Sequence, residues 1–480
     1  MDKNQLWIDT FLKKEDGKNI NQYLTVFIAT ITLFISGIHQ GWAGPSLVKL
    51  LSDEYPIPVT EEEASYITII GPVGHVIGGF LSSYLADFIG RKATVLSIGL
   101  PQLASFILIY FSYKGVYLLY IARILGGMGE GASLALLPCY IAEVAEPSVR
   151  GSLGSFVNLL LLFGQLFVNS VGSYLTIHST AMVCLVFPII FWITFIYMPE
   201  SPYYCLMKGD TERARHALQV LRRKREVNLE LEQLSADVAR QMSEQGSYKE
   251  LFTIKSNMKA FMMVSFTRTF QVFTGSIALM SYQQIMIAQS TDLSPVMGST
   301  VLISAGISTV IIASFYIDKY GRKPVFVASA ALTAITLFGQ ALFLTIKDYT
   351  TISVSTYSWL PLPIMILNNL AFRGGLGVVT NIFISEIFSA SIKAKGMSLS
   401  SLVFAILMIV STKMYQFTAD NIGLAVPFYV FAIFTFFGTL FFHFVLPETK
   451  GKSLEVIQQE LKGESNNKLT ESRINFIEET

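Results

Sequence analysis

The sequence predicts an all-α membrane protein of twelve transmembrane helices, arranged as two pseudo-symmetric six-helix halves. Three observations carry that class. The first is composition: of 480 residues, 52% are hydrophobic, only 14% are charged and 36 are Phe, with a mean hydropathy of +0.51. A soluble chain would carry roughly a quarter charged residues. The second is a series of apolar stretches near the length of about 20 residues that a spanning helix needs. The third is a repeated turn. Asp87-Phe88-Ile89-Gly90-Arg91-Lys92 closes one apolar stretch, and Asp318-Lys319-Tyr320-Gly321-Arg322-Lys323 closes another. An acid, a Gly and two cations so close together cannot sit in hydrocarbon, so each copy is a tight, wet turn and its recurrence marks a duplicated unit.

The stretches, numbered here as spans 1 to 12, run over about 23–47, 66–86, 94–112, 116–141, 154–176, 181–199, 260–287, 296–317, 325–346, 359–386, 399–419 and 424–446. Five units follow: an N-terminal segment 1–22, a six-helix bundle 23–202, a polar helical linker 203–258, a second bundle 259–446 and a tail 447–480. The linker carries the basic run Arg222-Arg223-Lys224-Arg225 and a helical pattern at Leu229, Leu231, Leu234 and Val238. The first 22 residues are polar without an apolar core, which predicts targeting by span 1 rather than by a cleaved leader.

Orientation follows from the cations. Arg91, Lys92, Arg150, Lys319, Arg322, Lys323, Lys393 and Lys395 crowd alternate turns, while the first turn on the other side holds Asp53, Glu54, Glu61, Glu62 and Glu63. The positive-inside rule then places both termini and the linker in the cytosol. The net charge of +1 points to no nucleic acid, and Cys139, Cys184 and Cys205 suggest no disulfide framework. No nucleophile, metal or nucleotide motif occurs in the polar segments, so neither an enzyme nor a cofactor is expected. The sequence implies no oligomeric state.

The duplication goes further. Tyr140-Ile141-Ala142-Glu143 precedes Arg150 by the spacing at which Phe383-Ile384-Ser385-Glu386 precedes Lys393. Pro199-Glu200-Ser201-Pro202 closes span 6, and Pro447-Glu448-Thr449-Lys450-Gly451 closes span 12. With Arg123, Gly127, Gly131 and Pro138 in span 4, this ordered set resembles the sugar porters of the major facilitator superfamily over nearly the whole chain. Gly41-Trp42 with Pro45, and Tyr203-Tyr204 after Pro202, look most like the insect facilitated trehalose and hexose transporters. The resemblance implies the major facilitator fold, alternating access, and a gate of Asp87, Arg91, Glu143, Arg150 and Glu200 with Asp318, Arg322, Glu386, Lys393 and Glu448. Salt bridges between the halves would hold that side shut. At about 0–1 kcal/mol per exposed pair, such a network biases two states without locking either. Ser83 stands where a Gly is usual in this pattern.

Sugar recognition in such porters rests on span 7 and on amides, which offer donor and acceptor together to ring hydroxyls. Gln271, Gly275 and Tyr282 match that pattern, while Val272 and Ile277 replace a second Gln and an Asn. Asn158 takes the place of a Gln in span 5, Asn381 that of a stacking Trp in span 10, and Ala405 that of a Trp in span 11. The gate pattern is kept while the sugar pattern is thinned.

Two charges lie mid-span. Glu130 precedes Glu143 by the same thirteen residues (143 − 130) by which Arg373 precedes Glu386 (386 − 373). Each would be costly alone, about 2.5–3.5 kcal/mol by insertion scales. The equivalence suggests a pair across a central cavity; a local pair of Glu130 with Arg123 is the alternative. Arg268 and Lys413, nearer helix ends, are expected to snorkel, and Trp42 and Trp359 to anchor at the interface. His39 stands where proton-coupled members carry an Asp, which favours facilitated diffusion, although a mid-membrane His can titrate.

The leading expectation is a multi-pass plasma-membrane carrier of trehalose or a hexose, working by facilitated diffusion. Its sugar contacts would be Gln271, Asn158, Tyr282, Asn381, Gly275 and His39. A proton-coupled carrier of another or charged solute, using His39, Glu130 and Arg373, and a non-transporting sugar sensor are the alternatives. The expected partners are a small-molecule substrate and the lipid bilayer.

Overall fold

The computed structural model describes residues 19–53, 55–243, 248–350, 355–388 and 392–448. The side chains of Arg150, Asp318, Glu386 and Lys393, four members of the expected gate, lie outside the described residues. Among those described, eleven helical stretches are long and apolar enough to cross a membrane. Span 1 is Ile20–Gly41 continued by Ala43–Leu50, span 2 Glu61–Ile89, span 3 Arg91–Tyr110, span 4 Tyr117–Val144, span 5 Pro147–Tyr174 and span 6 Ile177–Phe195. Spans 8, 9, 11 and 12 are Pro295–Tyr320, Arg322–Tyr349, Lys393–Asn421 and Ala425–Val445.

The remaining two depart from the expected continuous helices. Span 7 is broken into Lys255–Phe273, Ser276–Ser281 and Gln283–Ser290. Gly275, at φ +77°, makes the first break, in a backbone region where a Cβ is costly. Span 10 runs as Pro361–Ala371, a π turn over Phe372–Leu376 and Gly377–Ile387. Such irregularity inside a membrane is tolerated where the backbone is buried in protein or lines a cavity, and π turns gather at functional positions.

The repeated turns have one geometry. Gly90 at φ +104° joins span 2 directly to span 3, and Gly321 at φ +95° joins span 8 to span 9. The N-termini of spans 3 and 9 each receive a carboxylate, as helix N–H groups and the macrodipole favour. Glu200 Oε1 accepts from the Lys92 backbone at 2.9 Å. Glu448 accepts from the backbones of Arg322 at 3.0 Å and Lys323 at 3.1 Å. The acids of the two closing motifs are thus helix caps, one in each half.

Close packing in the first half depends on glycines. A Cβ at Gly74 or Gly78 would strike the span 4 backbone at Ile124 and Met128, and one at Gly127 or Gly131 the span 2 backbone at Gly71 and His75. Ser83, beyond this contact, is exposed and turns its hydroxyl back to the Gly79 carbonyl. The linker folds as short helices, Pro202–Met207, Thr211–Arg222, Asn228–Ser243 and Tyr248–Thr253. Arg222, only 4% exposed, joins two of them through Glu230 (2.8 Å) and ties them to the first half through the Val144 carbonyl (2.8 Å) and Glu146 (3.2 Å).

The two ends of the bundle differ. Opposite the linker, the halves share an apolar cluster in which Ala43, Leu47 and Ala64 meet Ala278, Tyr282 and Met286. Polar contacts reinforce it. Lys413 donates to Ser65 (3.2 Å) and Gln416 (3.0 Å), Ser65 donates to Gln416, and Gln284 donates to Asn169 and Ser173 (3.0 Å each). Lys413 therefore clamps two halves together rather than snorkelling. At the linker end the ion pairs seen lie within one half: Arg91 meets Asp87 at 3.2 Å and Glu143 at 3.1 Å. These three members of the gate thus brace spans 2, 3 and 4 to one another and do not bridge the halves. Their weight changes with their place. The Arg91 and Glu143 side chains are 7% and 9% exposed, and a buried charge stripped of its partner costs about 3–5 kcal/mol.

Candidate functional site

Between the halves lies a cavity of about 270 Å³, reached by spans 1, 5, 7, 8, 9, 10, 11 and 12. Three of the expected sugar contacts, Asn158, Gln271 and Asn381, line it, as does Arg373. Six further amides line it too: Gln40, Gln165, Gln283, Gln340, Asn368 and Asn369. The thinned sugar pattern therefore does not make a dry cavity. The polar groups have moved onto other turns and other spans. Helical spacing carried a signal for them, since Gln165 lies seven residues after Asn158 and Gln340 four after Thr336, each pair on one helix face.

Three expected contacts lie elsewhere. Tyr282, buried, stacks on Tyr415 with ring centroids 5.1 Å apart and meets the Thr68 hydroxyl at 3.3 Å. It belongs to the closed end. His39 is 1% exposed, with its ring stacked on Phe106 at 4.3 Å and close against Gly126. Gly275 faces the Phe431 ring and shapes the break in span 7. Trp42, expected at the interface, is 1% exposed and lies under the Arg123 guanidinium at 5.6 Å. Trp359, 53% exposed at the far end of span 10, fits an anchor.

Glu130 and Arg373 meet through intermediaries. Gln40 Nε2 donates to Glu130 Oε1 at 3.4 Å, Gln165 Nε2 donates to Gln40 Oε1 at 2.5 Å, and Arg373 Nη2 donates to Gln165 Oε1 at 3.4 Å. Two amides thus join an anion of one half to a cation of the other. Each amide can accept on one side and donate on the other, which is why this residue type suits the bridge. Glu130 also faces His75 Nδ1 at 3.6 Å. The alternative pairing with Arg123 is not formed. Arg123 donates instead to the backbone carbonyls of His39 (2.6 Å) and Ile67 (3.2 Å).

Arg268 does not snorkel. Its Nη1 donates to Gln271 Oε1 at 2.8 Å and to Asn381 Oδ1 at 3.0 Å, and its guanidinium lies 4.7 Å from the centre of the Phe404 ring. A guanidinium can only donate, so it turns both amide oxygens towards itself. Arg373 does the same to Asn369, whose Oδ1 accepts from Nε at 2.7 Å. Gln340 stands apart: it is 2% exposed and neither its oxygen nor its nitrogen has a hydrogen-bond partner. Leaving a buried polar group unsatisfied costs about 1–3 kcal/mol, and a cavity wall is where a ligand could relieve that cost.

Comparison with known proteins agrees with this geometry. The family model described as "Sugar (and other) transporter" matches residues 19–461. The chain is 28% identical over 444 residues to the facilitated trehalose transporter Tret1 of Bombyx mori, covering 92% of this chain and 86% of that one. It is 28% identical over 457 residues to that of Apis mellifera ligustica, covering 94% and 90%. Among solved structures, the inward-open xylose transporter XylE from E. coli superposes with a TM-score of 0.74 at 20% identity, covering 90% of this chain and 98% of that one. The proton:xylose symporter XylE bound to 6-bromo-6-deoxy-D-glucose gives 0.74 at 19%, covering 92% and 100%. The chain has the major facilitator fold and belongs to the Sugar (and other) transporter family of multi-pass membrane proteins.

Proposed function

We propose that the chain carries a sugar of the hexose or trehalose class across the plasma membrane by alternating access, as facilitated diffusion, with both termini and the linker in the cytosol. One observation carries this reading: a cavity between the halves lined by nine amide side chains, sealed at the far end by contacts between the halves. Hydroxyl-rich solutes match amides, and a seal made of short polar and apolar contacts can open without breaking a strong bond. Asn158, Gln271 and Asn381 are the sugar contacts retained from the sequence, joined by Gln40, Gln165, Gln283, Asn368 and Asn369. The cation-rich turns then face the cytosol. There Asp87, Arg91 and Glu143, with the helix-capping Glu200 and Glu448, stiffen each half as it rocks, and Arg150, Asp318, Arg322, Glu386 and Lys393 remain the other members of the cytosolic gate. The relatives named as facilitated trehalose transporters support the choice of cargo class.

The test is uptake of labelled trehalose and glucose into liposomes holding the full chain, with and without a pH gradient. Saturable flux indifferent to the gradient is expected; no saturable flux of any sugar through folded protein overturns the reading. Binding without flux would turn it into a sensor. Glu130 beside His75 favours a second reading, proton coupling. In that case a gradient drives accumulation, and Glu130→Gln abolishes the accumulation while exchange persists.

A further inference from the structure

We propose that the preferred cargo is an anionic derivative of such a sugar, a polyol bearing one carboxylate or phosphate, held between Arg268 and Arg373. This rests on the sugar-carrying reading and narrows it.

Arg373 lines the cavity and Arg268 stands directly behind its lining residues Gln271, Asn381 and Phe404; among the described residues neither guanidinium has a carboxylate partner. Arg268 bonds to the amide oxygens of Gln271 and Asn381. Arg373 bonds to those of Asn369 and Gln165. The nearest anion traced from Arg373 is Glu130, which lies two amides away through Gln165 and Gln40. Charge at the bilayer centre is normally matched by a counter-charge or used on a substrate, and here no close counter-charge is found among the described residues.

The arginines also set what the amides offer. The oxygens of Gln271, Asn381, Asn369 and Gln165 each spend a lone pair on a guanidinium, which fixes where their N–H groups point. Those of Asn369 and Gln165 are directed to the Leu302 carbonyl and to Gln40, and those of Gln271 and Asn381 to the Gly377 carbonyl. Each NH₂ has two protons and each of these bonds uses one. A donor therefore remains on each of these four amides, close to the two cations, where an anionic group can accept it.

Arg373 has spare capacity. Nε is taken by Asn369 and one proton of Nη2 by Gln165, which leaves Nη1 without a partner among the described residues. Arg268 Nε is buried and likewise unpartnered. Asn381, bound to Arg268, lies eight residues beyond Arg373, about 12 Å along a helix at 1.5 Å per residue. The two cations thus sit at different depths. An anionic group at one of them leaves the sugar hydroxyls to the amides between, with Gln340 as a further unpartnered amide on the same wall.

The experiment is uptake by liposomes holding the full chain, with labelled glucose, trehalose, glucuronate and glucose 6-phosphate supplied at equal low concentration. One of the two anions is expected to enter about tenfold faster than glucose, the ratio that one charge-assisted hydrogen bond supplies. Its entry should also accelerate under an inside-positive potential. Preference for glucuronate assigns a carboxylate, and preference for glucose 6-phosphate a phosphate. Arg373→Gln should lower the anion-to-glucose ratio about tenfold, and Arg373→Lys, which keeps the charge, should restore most of it. If Arg373→Gln does not fold, wild-type selectivity and its response to potential decide alone. Glucose or trehalose entering as fast as or faster than both anions overturns the proposal and leaves sugar carriage standing. Entry of none of the four through folded protein overturns both readings.

Discussion

The two halves share one repeated plan but solve different problems with it. In the first half the spans are continuous and tightly docked, through glycines at 74, 78, 127 and 131 and through the buried Arg91–Glu143 pair. Of the amides facing the cavity, that half supplies three: Gln40, Asn158 and Gln165. In the second half span 7 is broken twice and span 10 carries a π turn. That half supplies the other six amides and Arg373. A regular helix satisfies its own backbone and presents a fixed face, which suits a scaffold. A broken helix turns side chains and backbone groups in directions that a regular one cannot, which suits a binding wall.

Substitutions can break this contrast at either side. The largest effect is expected at the scaffold: Arg91→Ala leaves Glu143 buried without its cation and should lower stability by about 3–5 kcal/mol, read as the loss of folded protein on heating in detergent. Gly275→Ala comes next, because a Cβ at φ +77° is strained and meets the Phe431 ring. It should cost about 1–3 kcal/mol, and should depress uptake beyond what the stability loss explains. A variant of normal uptake would show that the break in span 7 is not part of the binding wall. Gln340→Leu is expected to have the opposite sign. Removing an unpartnered buried amide should raise stability by about 1–3 kcal/mol while uptake falls. If both rise, the amide is not a ligand. Smallest is Thr60→Ala. Thr60 and Glu63 cap span 2 reciprocally, at 3.2 and 2.9 Å, so its loss should cost about 1 kcal/mol in thermal stability with substrate selectivity unchanged.

Much of the scaffold could be read from residue order. The turns at Gly90 and Gly321 follow from charges that hydrocarbon excludes, and their equal geometry follows from the equal motif. Span 2 begins at Glu61, five residues before its apolar stretch, because Thr60 and Glu63 cap it there. Less of the site was legible. Asn158, Gln271 and Asn381 stand out because they sit at motif positions, and Arg373 because a mid-span charge recurs at the same place in both repeats. Gln40, Gln340, Asn368 and Asn369 match no motif, and an amide in an apolar helix looks the same whether it faces a cavity or a neighbouring carbonyl. Tyr282 and His39 sit at motif positions yet point to the closed end and into the first half.

By itself the sequence determined the membrane class, the number and order of spans and the duplicated turns, because hydropathy and local charge act over a few residues at a time. Only the tertiary structure decided that Glu200 and Glu448 cap helices far from them in sequence, at spans 3 and 9. Only it replaced an expected Glu130–Arg373 pair by a bridge of two amides, and bound Arg268 to two cavity amides instead of the lipid interface. Those outcomes depend on which helix faces meet across the two halves, and distance in space between such faces is not encoded in spacing along any one of them.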